Sequence, residues 1–422
     1  MNQIEPNAYA PHGQEHVVAA VPRVNIAMFC TTQATASAMQ QVAIDRRMAR
    51  AHVDIQHGGI MQAVQVYSQS STPDVLILET EGYRDQVLSE LSQLANVCNP
   101  NTKVMLVGHV NDVILYRELI RQGLSEYLVA PVHQLQVIDA ISSLYNDPDA
   151  KPIGRIVAFV GAKGGVGSST IAHNIAAIAS GEFEVDTIVT DLDLAFGTVG
   201  LNFNQDPAQG MAEAINSSDR IDSTMIERLL TKCSDRLSLL SAPAQVEKAL
   251  GMDTDTLEPI IDAVRGAAPL IILDVPNVWA PWTKHILSTA DDVIITSTPD
   301  LAALRNTKNM FDFLTAARPN DKAPLVVLNQ VGVQKRPEIP VSEFAKAIGT
   351  EPAAVIPFDA HIFGTAASNG QMICDVSAKS KPAEQIHQLA TMLSGKQQKP
   401  ETTKAKAGGS ALAKLLPMLR KK

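Results

Sequence analysis

An α/β architecture of two doubly wound parallel-sheet domains in tandem is what this sequence predicts, and three observations predict it. Short apolar runs alternate with helical patterns from Val24 to the neighbourhood of Tyr145. The breaker cluster NDPDAKP then interrupts the pattern, and a second, more apolar series starts at RIVAFVGAK. A chain of 422 residues is also too long for one ordinary core, so two to three domains are expected.

Residues 1–21 are polar, hold Pro6 and Pro11 and show no apolar periodicity, which predicts a flexible arm. Within it His12 and His16 stand four apart, but the glutamate of the zinc-peptidase motif is not in place and no metal is expected there. The runs VNIAMF, DVLILE, KVMLVG and EYLVA read as strands, separated by helical segments such as Arg84–Val97 and Asp112–Gln122. A last helix near Asp139–Tyr145 closes a first domain at 22–147, and 148–153 form the linker. The second domain, 154–395, carries RIVAFVGAK, TIVTDLD, LIILDVP, DDVIITSTP, PLVVLNQ and AAVIPFD, whose near-continuous Val, Ile and Leu mark strands buried on both faces. KQQKPETTKAKAGGS is of low complexity and predicts a flexible linker over 396–410, followed by a tail over 411–422.

The four cysteines, Cys30, Cys98, Cys233 and Cys374, form no CxxC pair, so neither a zinc ribbon nor a disulfide framework is expected and a reducing compartment fits best. The first residues lack a basic stretch followed by an apolar one, and no apolar run is long enough to span a bilayer, so the chain is expected to be cytoplasmic. Net charge is −9, unevenly spread. Residues 396–422 hold eight Lys or Arg and one acid, which leaves the rest at 27 basic against 43 acidic residues, or −16. An acidic body argues against nucleic acid as its partner, and a basic tail points to an anionic surface.

The most informative stretch is GAKGGVGSST, residues 161–170, between a buried strand and the helical STIAHNIAAIA. Such a turn aims several backbone N–H groups and a helix N-terminus at one spot where phosphate can sit. Gly161, Gly164, Gly165 and Gly167 keep that approach clear of side chains.

These residues resemble the deviant Walker A motif, K-G-G-V-G-K-[ST]-[ST], of the MinD/ParA ATPases, and the resemblance extends over residues 154–395. It implies a P-loop fold that binds ATP with Mg2+ through Gly161, Gly164, Gly165, Val166, Gly167, Ser168, Ser169 and Thr170. The family's signature lysine, which reaches a dimer partner's phosphates, falls on Lys163. The second lysine, which contacts the terminal phosphates of its own nucleotide, falls on Ser168, so hydrolysis is expected to be slow or dimer-dependent. DLDLAFG resembles switch I and implies that Asp191 and Asp193 stand beside the γ-phosphate and the attacking water. LIILDVP resembles Walker B and implies Asp274, with Ser169, in the magnesium shell. PLVVLNQ implies that Asn329 meets the adenine edge, and IPFD that Pro357 flanks the base.

Residues 22–147 resemble the receiver domain of response regulators, without its chemistry. At the phosphoacceptor position PDVLILE carries Glu79; Cys30 and Thr31 replace the acidic pair that holds magnesium; Ala130 before Pro131 replaces the lysine; and Gly108 stands where Ser or Thr is usual. No phosphorylation is expected, and an inert docking domain is.

In the tail, Leu412, Leu415, Leu416 and Leu419 recur at helical spacing beside Lys414, Arg420, Lys421 and Lys422, the pattern of a short interfacial amphipathic helix that Pro417 would kink. A MinD-like ATPase behind a degenerate receiver, with its P-loop lysine lost, resembles the CpaE/TadZ proteins of tight-adherence (Flp type IV) pili. That resemblance implies a homodimer that recruits the pilus secretion ATPase and inner-membrane platform proteins. It also implies peripheral attachment to the inner membrane through 411–422, a cell pole being one place for it. Three alternatives stand beside this expectation: a partition ATPase, a flagellar or division-site positioning ATPase, and a scaffold that binds no nucleotide.

Overall fold

A computed structural model of the chain describes residues 18–145, 154–207, 209–242 and 252–394. Most of the arm, the linker 148–153 and everything beyond residue 394, including the amphipathic segment 411–422, lie outside the described residues. No described helix is long and apolar enough to cross a membrane.

The strands of the first domain are β1 (Asn25–Cys30), β2 (His52–His57), β3 (Val75–Thr80), β4 (Lys103–Gly108) and β5 (Glu126–Val129). They form one sheet in the order β2-β1-β3-β4-β5, every neighbour parallel. All six residues of the central β3 are buried, so VLILET has no polar alternation to show. Successive side chains feed opposite faces: Met28, Ile77 and Val107 pack under one helical layer with Val137 and Ile138, while Phe29, Leu78 and Leu106 pack under the other with Leu115 and Leu119.

The second domain continues with β6 (Arg155–Gly161), β7 (Thr187–Asp191), β8 (Thr231–Lys232), β9 (Leu237–Leu240), β10 (Leu270–Val275), β11 (Asp292–Ser297), β12 (Leu325–Val331) and β13 (Ala354–Pro357). Their order is β13-β12-β11-β6-β10-β7-β9-β8, parallel except for the short β8–β9 pair at one edge. The chain leaves β6 toward β7 on one side and later returns to β11 on the other. The loop after β6 therefore stands at the point where the winding reverses, on the edge where the strands end. The predicted α/β architecture, two largely parallel sheets each covered on both faces, is what the chain adopts.

The domains meet at their opposite edges, where strands begin. A single 3-10 turn, Arg46–Met48, follows the helix Gln33–Ala43 and carries two arginines into the second domain. Arg46 Nε lies 2.6 Å from Asp321 Oδ2, its Nη1 donates to the carbonyl of Thr289 at 2.8 Å, and its Nη2 lies 3.4 Å from Asp291 Oδ1. Arg47 pairs with Asp321 and, at 3.0 Å, with Asp45, which in turn accepts from Asn320 at 2.8 Å. Arg50 reaches Asp262 and Glu258 of the helix Thr254–Arg265. Burial alone would raise the Asp321 carboxyl, but the hydrogen bond and charge of Arg46, with Arg47 and Arg318 behind, hold it below the usual carboxylate range.

Candidate functional site: a phosphate-type loop over paired carboxylates

At the end of β6 the chain turns through Ala162–Gly167 into the helix Ser168–Gly181. Gly165 and Gly167 hold φ of +78° and +87°, the left-handed region that costs glycine nothing. A side chain at Gly167 would also meet Asn329 Nδ2 at 2.5 Å. Four side-chain amides tie down the loop's carbonyls: Asn277 on Gly161 at 2.6 Å, Asn306 on Ala162 at 2.9 Å, Gln330 on Gly165 at 2.9 Å and Asn329 on Val166 at 2.8 Å. With those carbonyls engaged, no described residue accepts from the amides of Lys163 to Gly167. The first helical turn adds its own free N–H groups and the positive end of the helix dipole.

The loop walls a cleft of ≈ 490 Å³. Gly161, Lys163, Gly164, Gly165, Val166, Gly167, Ser168, Ser169 and Thr170 all line it, as do Asp193 and Asn329. Three buried side-chain atoms of this wall, Ser168 Oγ, His173 Nε2 and Asn329 Oδ1, meet no hydrogen-bond partner among the described residues. Lys163 Nζ lies 2.9 Å from Asp300 Oδ2, and Asp300 also caps the helix Leu301–Ala317 through Ala303 N. Burial opposes ionisation of Asp300, but the hydroxyl of Thr298 and the ammonium of Lys163 hold its carboxyl at about 2.

Beneath the loop, parallel pairing sets Asp274 of β10 directly beside Asp191 of β7. Ser169 Oγ donates to Asp274 Oδ1 at 3.0 Å. Burial, and then the neighbouring charge of Asp274, push the Asp191 carboxyl well above the usual carboxylate range. Both Asp191 oxygens are already engaged, Oδ1 by Asp193 N at 3.0 Å and Oδ2 by Val199 N at 3.2 Å. A row of free amides, a helix N-terminus and a serine hydroxyl on a carboxylate suit a phosphate-bearing anion accompanied by a divalent cation.

The structure separates residues the sequence had grouped. Asp193 reaches the cleft, whereas Asp191 is 1% exposed and staples the loop that follows it. Pro357 does not line the cleft but a separate shallow hollow with Val331 and Lys381; its neighbour Phe358 takes the cleft position, because successive residues of an extended chain face opposite ways. The amide nitrogen of Asn329 donates one of its two N–H groups to the loop, and its oxygen meets no described partner. Sequence reasoning missed His173, Asn202, Asn277, Asp300, Asn306 and Gln330. The sole signal for His173 was its place four residues beyond Ser169 on one helix face.

At the corresponding end of the first domain's sheet the acidic side chain is saturated by its own domain. Glu79, 1% exposed, accepts at Oε2 from Thr31 N (2.7 Å) and Thr32 N (2.8 Å) and at Oε1 from the hydroxyls of Thr32 (2.7 Å) and Thr35 (2.5 Å). His109 Nε2 lies 3.0 Å from the same Oε1. Burial would raise this carboxyl, yet the bonds from Thr32, Thr35 and His109 hold it at about 2. At Gly108 an added Cβ would stand 2.1 Å from the Tyr127 hydroxyl, which donates to the Val110 carbonyl at 2.7 Å, so Tyr127 occupies the space a Ser or Thr there would need.

This is a P-loop NTPase domain of the MinD/ParA fold. Residues 154–326 match the AAA_31 model, described as an AAA domain. The ParA family ATPase of Chlorobium tepidum superposes with a TM-score of 0.51 at 26% identity, over 58% of this chain and 100% of that one. The pilus assembly protein CpaE of Caulobacter crescentus is 44% identical over 31% of this chain and 98% of that one, with a TM-score of 0.30. An uncharacterised protein of Mycobacterium tuberculosis is 27% identical over 169 residues, 40% of this chain and 46% of its own length, so the chain spans about half of that relative.

Proposed function

We propose that this chain is an ATP-binding, weakly hydrolysing dimeric switch that localises and helps assemble the tight-adherence (Flp type IV) pilus secretion machinery at the inner membrane. The observation that carries the nucleotide part is the loop 161–170 with its carbonyls tied back, its amides free and Ser169 on Asp274. In this reading the loop amides and Thr170 hold the phosphates, Ser169 and Asp274 hold Mg2+, Asp193 orients water and Asn329 Oδ1 meets the base. Lys163 then exchanges Asp300 for the phosphates of a second copy. The serine at 168 removes a full charge from beside the terminal phosphates and keeps turnover slow.

The pilus role is supported by the order of a degenerate receiver before a MinD-like domain and by the loss of the lysine at 168. Its partners are then the secretion ATPase, inner-membrane platform proteins and an anionic membrane surface contacted by residues 411–422. The missing charge at 168 favours a second reading, a scaffold that binds no nucleotide. Calorimetric titration with ATP, with and without Mg2+, decides between them. Weak, Mg2+-enhanced binding that drops in Lys163→Ala and Asp274→Ala is expected; no heat at millimolar ATP would leave the scaffold.

A further inference from the structure

We propose that His173 is a positioning residue that couples the cation-binding carboxylate Asp274 to the helix Val199–Asn202, which follows Asp193; this rests on the nucleotide reading above. His173 is fully buried, one helical turn beyond Ser169. The two residues divide one carboxylate between them: Ser169 Oγ reaches Asp274 Oδ1 at 3.0 Å, and His173 Nε2 lies 3.2 Å from Oδ2. The far side of the ring is fixed as well, for His173 Nδ1 stands 2.8 Å from Asn202 Nδ2, which also reaches Thr198 Oγ1 at 3.3 Å. With the amide nitrogen as donor, Nδ1 accepts and the ring proton rests on Nε2, facing Asp274. Phe203 lies against the imidazole, with ring centroids 5.6 Å apart and planes tilted by 47°.

The bond to Asp274 is incomplete. Nε2 is near enough to Oδ2 but lies off the line of a hydrogen bond, so this buried N–H has no properly aligned partner. A small rotation of the Asp274 carboxylate, of the kind a cation beside Ser169 would impose, aligns it. Outer partners of this sort orient a ligating group, and their loss weakens metal binding by tens of fold. The same ring passes the rotation through Asn202 to Thr198, in the segment that Asp191 staples through Val199 N. His173 thereby links the state of the cation site to the segment after Asp193.

The test is ADP affinity of the full chain by calorimetry, in Mg2+ and in EDTA. The wild type is expected to bind more tightly with Mg2+, His173→Leu to lose about tenfold of that enhancement while keeping its EDTA affinity, and His173→Gln, which restores an N–H donor, to recover it. A residue that merely filled space would lower both affinities together. Equal enhancement in His173→Leu and wild type overturns the inference and leaves the nucleotide reading standing. Failure of the wild type to bind at all overturns both. Should His173→Leu not fold, Asn202→Ala decides: an undiminished Mg2+ enhancement there refutes the coupling.

Discussion

Asp321 is the pivot of the contact between the domains, and replacing it with asparagine is the sharpest test of how they are held. Its side chain is 7% exposed and faces Arg46, Arg47 and, at 3.7 Å, Arg318, whose own side chain is 1% exposed. Asp321→Asn keeps the shape but removes the charge that three guanidinium groups share, leaving Asp291 on Arg46 and Asp45 on Arg47 as compensation. Removing one partner of a buried ion pair costs about 3–5 kcal/mol, because the remaining charge stays desolvated. Lys308→Ala, which breaks an exposed pair with Asp312, is the control and should cost no more than about 0.5 kcal/mol. Urea unfolding read by two probes gives the answer. Both tryptophans, Trp279 and Trp282, lie in the second domain, so fluorescence reports on that domain while circular dichroism reports on both. The wild type should show coincident transitions. Asp321→Asn should lower the midpoint and pull the two probes apart as the domains unfold separately. A midpoint matching the control, with the probes still coincident, would refute the clamp.

Three further outcomes are expected. Because the Glu79 carboxyl is held at about 2 against an unfolded value of 4.5, its stabilisation is complete above pH 4.5 and is lost as pH falls through 2. That is about 3 kcal/mol of acid sensitivity, which Glu79→Gln should remove; equal pH slopes in the two proteins between pH 5 and 2 would count against it. Gly108→Ser should destabilise the first domain by about 1–3 kcal/mol as Tyr127 is forced from its place, measured by urea denaturation, and an unchanged midpoint would show the ring moves freely. Ser168→Lys should raise ATP turnover about tenfold or more by restoring a charge to the cleft; an unchanged rate with binding intact would mean that other catalytic parts are missing as well.

What the sequence disclosed follows burial. Strands such as β3, β6 and β10 announced themselves because both faces are covered and each carries an unbroken run of four or five apolar residues. β2 and the β8–β9 pair lie at sheet edges; HVDIQH has no fully buried residue, and a two-residue strand leaves no period to read. Loop glycines were legible because left-handed φ leaves a signature in composition, and Asp274 because an acid ending an apolar run is conspicuous. The amides of Asn277, Asn306 and Gln330 left no such trace, since each bonds a carbonyl more than 100 residues away in sequence. The arginine clamp was illegible for the same reason: nothing local distinguishes Arg46 from any surface arginine until Asp321 arrives 275 residues later.

Joining the domains where their strands begin leaves the chain with two heads pointing away from each other. The phosphate-type loop crowns one, at the end of β6, and the saturated Glu79 pocket crowns the other, at the end of β3. A partner at the Glu79 end therefore has nothing to displace at the loop end, and a ligand at the loop end has nothing to displace at the Glu79 end.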